Sequence, residues 1–415
     1  MNKSFVILTI LCWCTCWSAW AGENKNASDS THYPKIQVGA FAQFQGKLVQ
    51  ARPTNPADDG NRPWDKHLQL WRARVLVGGN ISKKLSFFTQ TEILNPIGFG
   101  TATSGAGAKN IQISPILLDA QIEYNFSKNW WLYSGLQYVG YSRNGLQSPV
   151  TLMGLEFGYY QFAYNLFANQ PLQNNFGRDV GLNLRGYLLN DRLEVRAGLF
   201  RGRTESGTFP FRSTVRLNYN FLDTEITHYY TGTNLGEKKI LAIGAGFDTQ
   251  ETYSSWAADL FADLPTANGA FTAQLSYMHT TGGTKGANAN TFTALIPRQN
   301  IFFAEAGYYF KQLKLQPVVK YEIQNIDVHN NQYTLSPARV AALLPASFTP
   351  ENAKNFNALN SNARLAFGLN YYMEGFNAHI KLQYEKVYYG RFNGNNTETK
   401  NGDEIILQFT YFIFK

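Results

Sequence analysis

From residue 35 to the C-terminal end, apolar and polar residues alternate with a period of two, in runs of about ten residues. Sixteen such runs occur, and each predicts a strand: 35–46, 67–79, 83–95, 115–126, 129–141, 179–189, 192–203, 211–221, 237–249, 253–264, 269–281, 299–311, 313–328, 361–373, 375–389 and 403–414. About ten residues is the length a tilted strand needs to cross a bilayer. The stretch Leu68–Gly79, LQLWRARVLVGG, sharpens the question of what surrounds such strands. Trp71, Ala73, Val75 and Val77 suit an apolar face, yet Arg72 and Arg74 take the opposite face, where a protein core would exclude them. Lipid beside the first four and water beside the two arginines removes the conflict. The pattern therefore predicts an all-β fold, a transmembrane antiparallel β-barrel of about 16 strands.

The connections alternate in length. Segments 80–83, 127–129, 190–191, 311–314 and 374–375 are tight and carry turn residues, whereas 47–66, 96–114, 142–178, 282–298, 329–360 and 390–402 are long and polar. Short turns at one rim and long loops at the other are what an outer-membrane barrel shows. The connection 222–236 breaks this rule, being long where a short turn is expected.

Within 142–178, Leu152, Leu155, Tyr159, Phe162 and Leu166 fall on a helical period, so a helix or strand against the inner wall competes there with an ordinary aromatic loop. Residues 336–345, SPARVAALLP, place Ser at an N-cap and Pro at the first helical position, and predict a short surface helix. Paired aromatics, Trp130-Trp131, Tyr308-Tyr309, Tyr371-Tyr372 and Tyr388-Tyr389, stand near strand ends, where rings form girdles at headgroup level.

Composition supports lipid over a soluble setting. Aromatics reach 15% and charged residues only 16%, below the roughly 25% of soluble domains. A soluble β-sandwich would also use aromatics, but it would bury both inner faces and leave no polar lining. The formal charge of +8 fits nucleic acid, a membrane surface or an anionic solute, yet no Lys/Arg run exceeds two residues and no RNA-binding aromatic signature is present. Nucleic acid is therefore not an expected partner.

Residues 1–21 read as a secretory signal peptide: Lys3 supplies the positive charge, Phe5 to Trp17 the apolar stretch, and Ala19-Trp20-Ala21 a cleavage site used after Ala21. The stretch is short for a membrane anchor and leads into the polar run GENKNASDST. A polar segment, 22–34, then precedes a barrel domain over 35–415. All three cysteines, Cys12, Cys14 and Cys16, lie inside the signal, so the processed chain is expected to contain none.

Assigning the more apolar parity of each strand to lipid turns the other parity inward. Arg72, Arg74, Arg185, Arg196, Arg212, Arg216, Lys320, Arg364 and Lys381 become lumen residues and candidates for anion binding. The acids Glu92, Asp119, Glu123, Asp179, Asp259 and Glu305 turn inward by the same rule, as do Glu194, Asp263, Glu322, Glu385 and Glu404. Basic residues dominate strands two and six to eight and acids strands three, four, nine and ten, so a positive wall with separate negative stretches is expected. Two roles stay open for the arginines. A guanidinium fork suits the oxygens of a passing phosphate, and it equally suits a neighbouring carboxylate.

Several pieces, spread over most of the chain and in one order, resemble the phosphate-selective porins O and P. They are Trp71-Arg-Ala-Arg74 followed by Gly78, Asp119-Ala120, Gly177-Arg-Asp-Val-Gly181, Gly307-Tyr-Tyr-Phe310, Pro317-Val-Val-Lys-Tyr-Glu322 and Gly368-Leu-Asn-Tyr-Tyr372. The resemblance implies a trimeric sixteen-stranded barrel, the third long loop folded into the lumen, and a ladder of basic residues selecting phosphate-type anions. This chain has Trp71-Arg72 where the family often carries two adjacent arginines, and Lys415 follows Phe414 where the usual outer-membrane signal has a terminal aromatic.

No Gly-x-Ser-x-Gly elbow, no phosphate loop ending in Gly-Lys-Ser/Thr and no His/Cys metal spacing occurs, so neither enzyme activity nor a cofactor or metal is expected. The expected function is passive diffusion of small hydrophilic solutes through a water-filled outer-membrane channel, biased to anions, with phosphate foremost. The expected partners are outer-membrane lipid, small anionic or polar solutes and, from the resemblance, two more copies of the chain. A general non-selective porin and a barrel serving as surface adhesin or receptor are the alternatives.

Overall fold

A computed structural model describes residues 32–50, 62–94, 113–161, 165–167, 170–171, 177–202, 211–251, 253–282, 296, 298–326, 362–389 and 400–414. The signal at 1–21, most of the segment 22–34 and the helix expected at 336–345 lie outside them. Among the described residues, sixteen strands close into one antiparallel barrel. They are β1 (Lys35–Gln50), β2 (Trp64–Asn80), β3 (Leu85–Leu94), β4 (Ile113–Ser127), β5 (Trp130–Tyr138), β6 (Arg178–Leu188), β7 (Leu193–Phe200) and β8 (Arg212–Asn220), followed by β9 (Ile240–Gln250), β10 (Tyr253–Thr266), β11 (Gly269–Thr281), β12 (Gln299–Phe310), β13 (Leu315–Ile326), β14 (Asn362–Tyr372), β15 (Ala378–Tyr389) and β16 (Lys400–Phe414). Every strand that the period predicts is present. β16 pairs back onto β1 from Phe414 opposite Gly39 to Glu404 opposite Val49, so the sheet has no open edge.

Alternation decides the two faces. On β6, Val180 and Leu182 are 52% and 46% exposed, while Asn183, Arg185 and Tyr187 are buried inside. Val215 and Leu217 on β8, Leu275 on β11, Leu369 on β14 and Leu407 on β16 continue an apolar outer belt. The interior is filled by polar and aromatic side chains instead of an aliphatic core. The same alternation splits two of the aromatic pairs expected to join the girdle together: Tyr371 is exposed and Tyr372 buried, Tyr308 lies outward and Tyr309 inward. Each of these pairs therefore gives the outer surface one ring, because neighbours on a strand point to opposite faces.

β2 contains an irregularity that corrects the placing of Trp71. Arg72 stands opposite Gln43 and Leu70 opposite Phe44, which leaves Trp71 outside the ladder as a β-bulge. Trp71 then shares the inner side with Arg72, and its indole Nε1 donates to Glu156 Oε1 at 2.6 Å. The reason lies in the neighbouring leucines. Leu68 and Leu70 have the parity of Arg72 and Arg74, so unbroken alternation would turn them into the lumen. One skipped residue leaves Leu68 outside, 91% exposed, and still keeps both arginines inside.

The turns after β2, β4, β6, β10, β12 and β14 are short and lie at one rim. Two connections behave differently. Residues 139–161, after β5, fold into the barrel, as the resemblance implies for the third long loop. Residues 221–239, after β8, enter from the rim of short turns. Within the first, 152–161 form irregular turns with neither helix nor strand, although Leu152, Leu155 and Tyr159 are buried as their spacing suggests. A two-stranded hairpin, Asn165–Phe167 with Gln170–Pro171, follows.

Deleting Trp71 removes the unpaired residue and leaves Arg72 facing Gln43. The deletion variant is expected to assemble with the pairing unchanged, seen as a disulfide between cysteines introduced by Phe44→Cys and Leu70→Cys. Failure to assemble, or cross-linking from a shifted position, would place Trp71 in the ladder after all.

Candidate functional site

The two inward connections meet inside the barrel. Ser148 N donates to the Tyr230 carbonyl at 3.0 Å, Tyr230 N to the Leu146 carbonyl at 3.0 Å, and Thr233 N to the Thr151 carbonyl at 3.1 Å, a short parallel pairing of Gln147 with Tyr230. Backbones this close need a residue without a side chain. A Cβ on Gly232 would stand 2.6 Å from the Thr151 carbonyl oxygen. Charge reinforces the pairing: both Nη atoms of Arg143 donate to Glu225, each at 2.8 Å, and the guanidinium lies 3.6 Å from the Phe261 ring centre. The long 222–236 connection thus has its explanation. It is the lower half of an interlocked partition.

Tyr230 is the hub of that partition. Arg143, Arg196 and Arg216 surround its ring at 4.7, 5.0 and 5.1 Å. Its hydroxyl accepts from Arg216 Nε at 3.2 Å and donates to Glu194.

The later part of the first segment runs along β12 to β15, and wall side chains take its backbone groups. Gly154 N donates to Glu305 at 3.1 Å, Leu155 N to Gln383 at 3.2 Å and Tyr159 N to Glu322 at 2.7 Å. Lys320 Nζ donates to the carbonyls of Glu156 and Phe157 at 3.1 and 2.9 Å, and Lys381 Nζ to those of Leu152 and Gly154. These bonds replace the helix or strand partners that a buried backbone otherwise requires. Across the lumen, the Glu156 carboxylate is held by Arg72 in a two-bond fork at 2.8 and 2.7 Å and by the Trp71 indole. Glu156 is therefore tied to β2 through its side chain and to β13 through its backbone.

All nine basic and eleven acidic residues selected by parity face the interior. The structure brings most of them into pairs. Arg74 meets Glu92 at 2.7 Å, Arg185 and Arg196 share Glu194 at 2.5 and 2.9 Å, Arg212 meets Asp248 with Asp179 at 3.8 Å, Arg216 meets Asp259 at 2.7 Å and Arg364 meets Glu385 at 2.5 Å. Lys320 lies 2.7 Å from Glu322. The expected separation into a positive wall and negative stretches is thereby corrected, since basic strands β2 and β8 adjoin the acidic strands β3 and β9 and neutralise them locally. Lys320, Lys381 and Glu305 hold the loop.

Several residues lay beyond the parity rule. Arg143, Glu156, Glu225 and Tyr230 sit in connections, where no alternation exists to assign a face. Arg178 has the parity of the exposed Val180, yet as the first residue of β6 it turns inward onto Asp119 at 2.9 Å. Asp248 follows the alternation of β9 and was within the rule's reach.

His228 stands beside this network, outside the strands. Gln121 Nε2 donates to its Nε2 at 3.0 Å, and its Nδ1 lies 3.5 Å from Glu123. Burial, and then the charges of Arg185, Arg196 and Arg178, hold its pKa well below the ordinary imidazole value. Among the described residues, no group of three or more His, Cys, Asp or Glu side chains is placed to hold a metal ion.

No family model matches the chain, and no curated protein sequence matches it. Solved structures do. The outer membrane channel DcaP of Acinetobacter baumannii aligns at 11% identity and a TM-score of 0.53 over 91% of this chain and 97% of that one, a likeness of fold. OprB of Pseudomonas putida aligns at 10% identity and TM-score 0.49 over 91% of this chain and 94% of its own. The trimer form of OmpT of Vibrio cholerae aligns at 10% identity and 0.48 over 92% of this chain and all (100%) of its own.

Two outcomes follow from the partition. Arg143→Ala leaves Glu225 buried without its partner and is expected to cost about 3–5 kcal/mol in denaturant unfolding, with the double change Arg143→Ala/Glu225→Ala recovering part of it. Equal losses in the single and double variants would mean the pair contributes nothing specific. His228 takes a proton near pH 6.5 only when unfolded, so stability is expected to fall as the pH drops below about 6.5 and to stop falling below the folded pKa. His228→Gln should remove that share of the acid sensitivity, measured as the shift in denaturation midpoint between pH 7.5 and 5.5.

Proposed function

We propose that the protein is an outer-membrane channel for passive diffusion of small hydrophilic solutes. The observation that carries this is the closed sixteen-stranded barrel with an apolar outer belt and a charged, hydrogen-bonded interior. Such a wall suits lipid outside and water inside, and the outer membrane is the setting we propose for it, with residues 1–21 as the exported signal. A homotrimer is the assembly proposed, on the sequence resemblance.

The pairing of the lumen charges supports a general channel over a phosphate ladder, and the weak anion preference proposed for it rests on the chain's formal charge of +8. A phosphate ladder needs guanidinium forks free to replace an anion's water. Arg72, Arg212 and Arg216 already spend theirs on carboxylates, and Arg185 and Arg364 each give one bond to a glutamate. The inward segments narrow the path and set what passes by size.

Purified protein in a planar bilayer is expected to give stable conductance steps, a small anion preference under a KCl gradient, and no depression of chloride current by millimolar phosphate. Strong phosphate block would restore the ladder. Absence of any step would overturn the channel and favour a closed barrel displaying its loops.

A further inference from the structure

The rim of short turns is uneven in charge. Asp191 stands beside Arg192 in the turn after β6, Asp223 and Glu237 share the segment after β8 with Lys238 and Lys239, and Glu374 lies on the turn next to Lys311 and Lys314. Along the remaining arc, from β1 across β2 and β3 to the turn between β4 and β5, the described rim residues include Lys35, Lys83, Lys84 and Lys128 and no acid. Glu123 of β4 is buried on the inner face. All four lysines are exposed, and none makes an ion pair among the described residues.

Strand pairing brings these lysines together. Lys35 opens β1 opposite Asn80, the last residue of β2, and the Lys84 carbonyl accepts from Asn125 N at 2.8 Å. Lys128 follows three residues after Asn125. At ~4.8 Å between neighbouring strands, the four ammonium groups span roughly 15–20 Å of the rim.

The outer face just inside this arc is apolar. Ile36 and Val38 on β1 and Ile122, Tyr124 and Phe126 on β4 are all exposed, and the Tyr124 and Phe126 rings stack at 6.5 Å. Lys35 directly precedes Ile36, and Lys128 stands two residues past Phe126. The charges therefore begin where the apolar belt ends, which is the depth of a phospholipid phosphate.

We propose that this arc binds the headgroups of anionic phospholipids, whose acyl chains lie on the apolar residues of β1 and β4. The inference rests on the reading that the outer belt faces lipid and adds which lipid it prefers. An ammonium is a compact charge with three donors, so it meets phosphate oxygens without a fixed fork. Four of them without a neighbouring acid favour a headgroup of net negative charge over a zwitterionic one. A lysine at a membrane surface contributes roughly a fivefold gain in affinity for anionic lipid.

The test is isothermal titration of the full chain, purified in a non-ionic detergent, with diheptanoyl phosphatidylglycerol, diheptanoyl phosphatidylcholine and glycerol 3-phosphate. Phosphatidylglycerol is expected to bind about tenfold or more tightly than either of the others, and about 0.5 M NaCl should erase the difference. The triple variant Lys83→Gln/Lys84→Gln/Lys128→Gln should lose the preference. Lys238→Gln/Lys239→Gln/Lys311→Gln removes as much charge from the same rim and should keep it. Equal binding of the two lipids, binding of glycerol 3-phosphate as tight as that of phosphatidylglycerol, or equal loss in both triple variants overturns the proposal. The wild-type salt dependence needs no variant to fold. Conductance in a planar bilayer of phosphatidylcholine is scored separately: steps without the lipid preference sink the arc and leave the channel standing, whereas the preference without steps does the reverse.

Discussion

A backbone that passes through the inside of a barrel as neither helix nor strand must find a partner for each buried N–H and C=O, and much else in this protein answers to that demand. Residues 152–161 meet it by borrowing from the wall. Lys320 and Lys381 donate to loop carbonyls, while Glu305, Glu322 and Gln383 accept from loop amides. The side chains that look, on the strands alone, like a lining for solutes are in large part a frame for the loop. Position follows from this. With the residues before and after it held on β12 to β15, Glu156 points its carboxylate at Arg72 and Trp71 of β2.

The same demand explains why the lumen's arginines are paired. A guanidinium held away from bulk water is costly unless a carboxylate stands beside it. Antiparallel neighbours bring such partners within reach: Arg185 lies on β6 and Glu194 on the adjoining β7, Arg212 on β8 and Asp248 on β9. The field inside is therefore a set of short-range dipoles, not a long basic track.

The partition also links the two rims. Residues 139–161 descend from the rim of long loops and 221–239 rise from the rim of short turns, and the Arg143 pair with Glu225 and the ring of Tyr230 lock one to the other. Displacing either segment exposes partners of the other. The lumen thus behaves as one polar network whose halves come from distant parts of the chain, and such networks rigidify when every member is satisfied.

How much of this was legible in the chain divides along a physical line. A period of two is a local property, so sixteen strands, their faces and the inward parity of Arg185 or Asp259 follow from the amino-acid sequence, and the apolar outer belt with them. Even the bulge at Trp71 is written there, as the change of apolar parity between Leu70 and Ala73, though its reason emerged only with the pairing of β1 and β2. Which acid meets which arginine is not local. It depends on strand order, register and two segments without any period, so Arg143, Glu156, Glu225 and Tyr230 carried no signal of face or depth. The sequence by itself determined a wall with an apolar outer face and a polar inner one; only the tertiary structure decided what stands inside it, because a buried charge takes its role from the partner that folding brings to it.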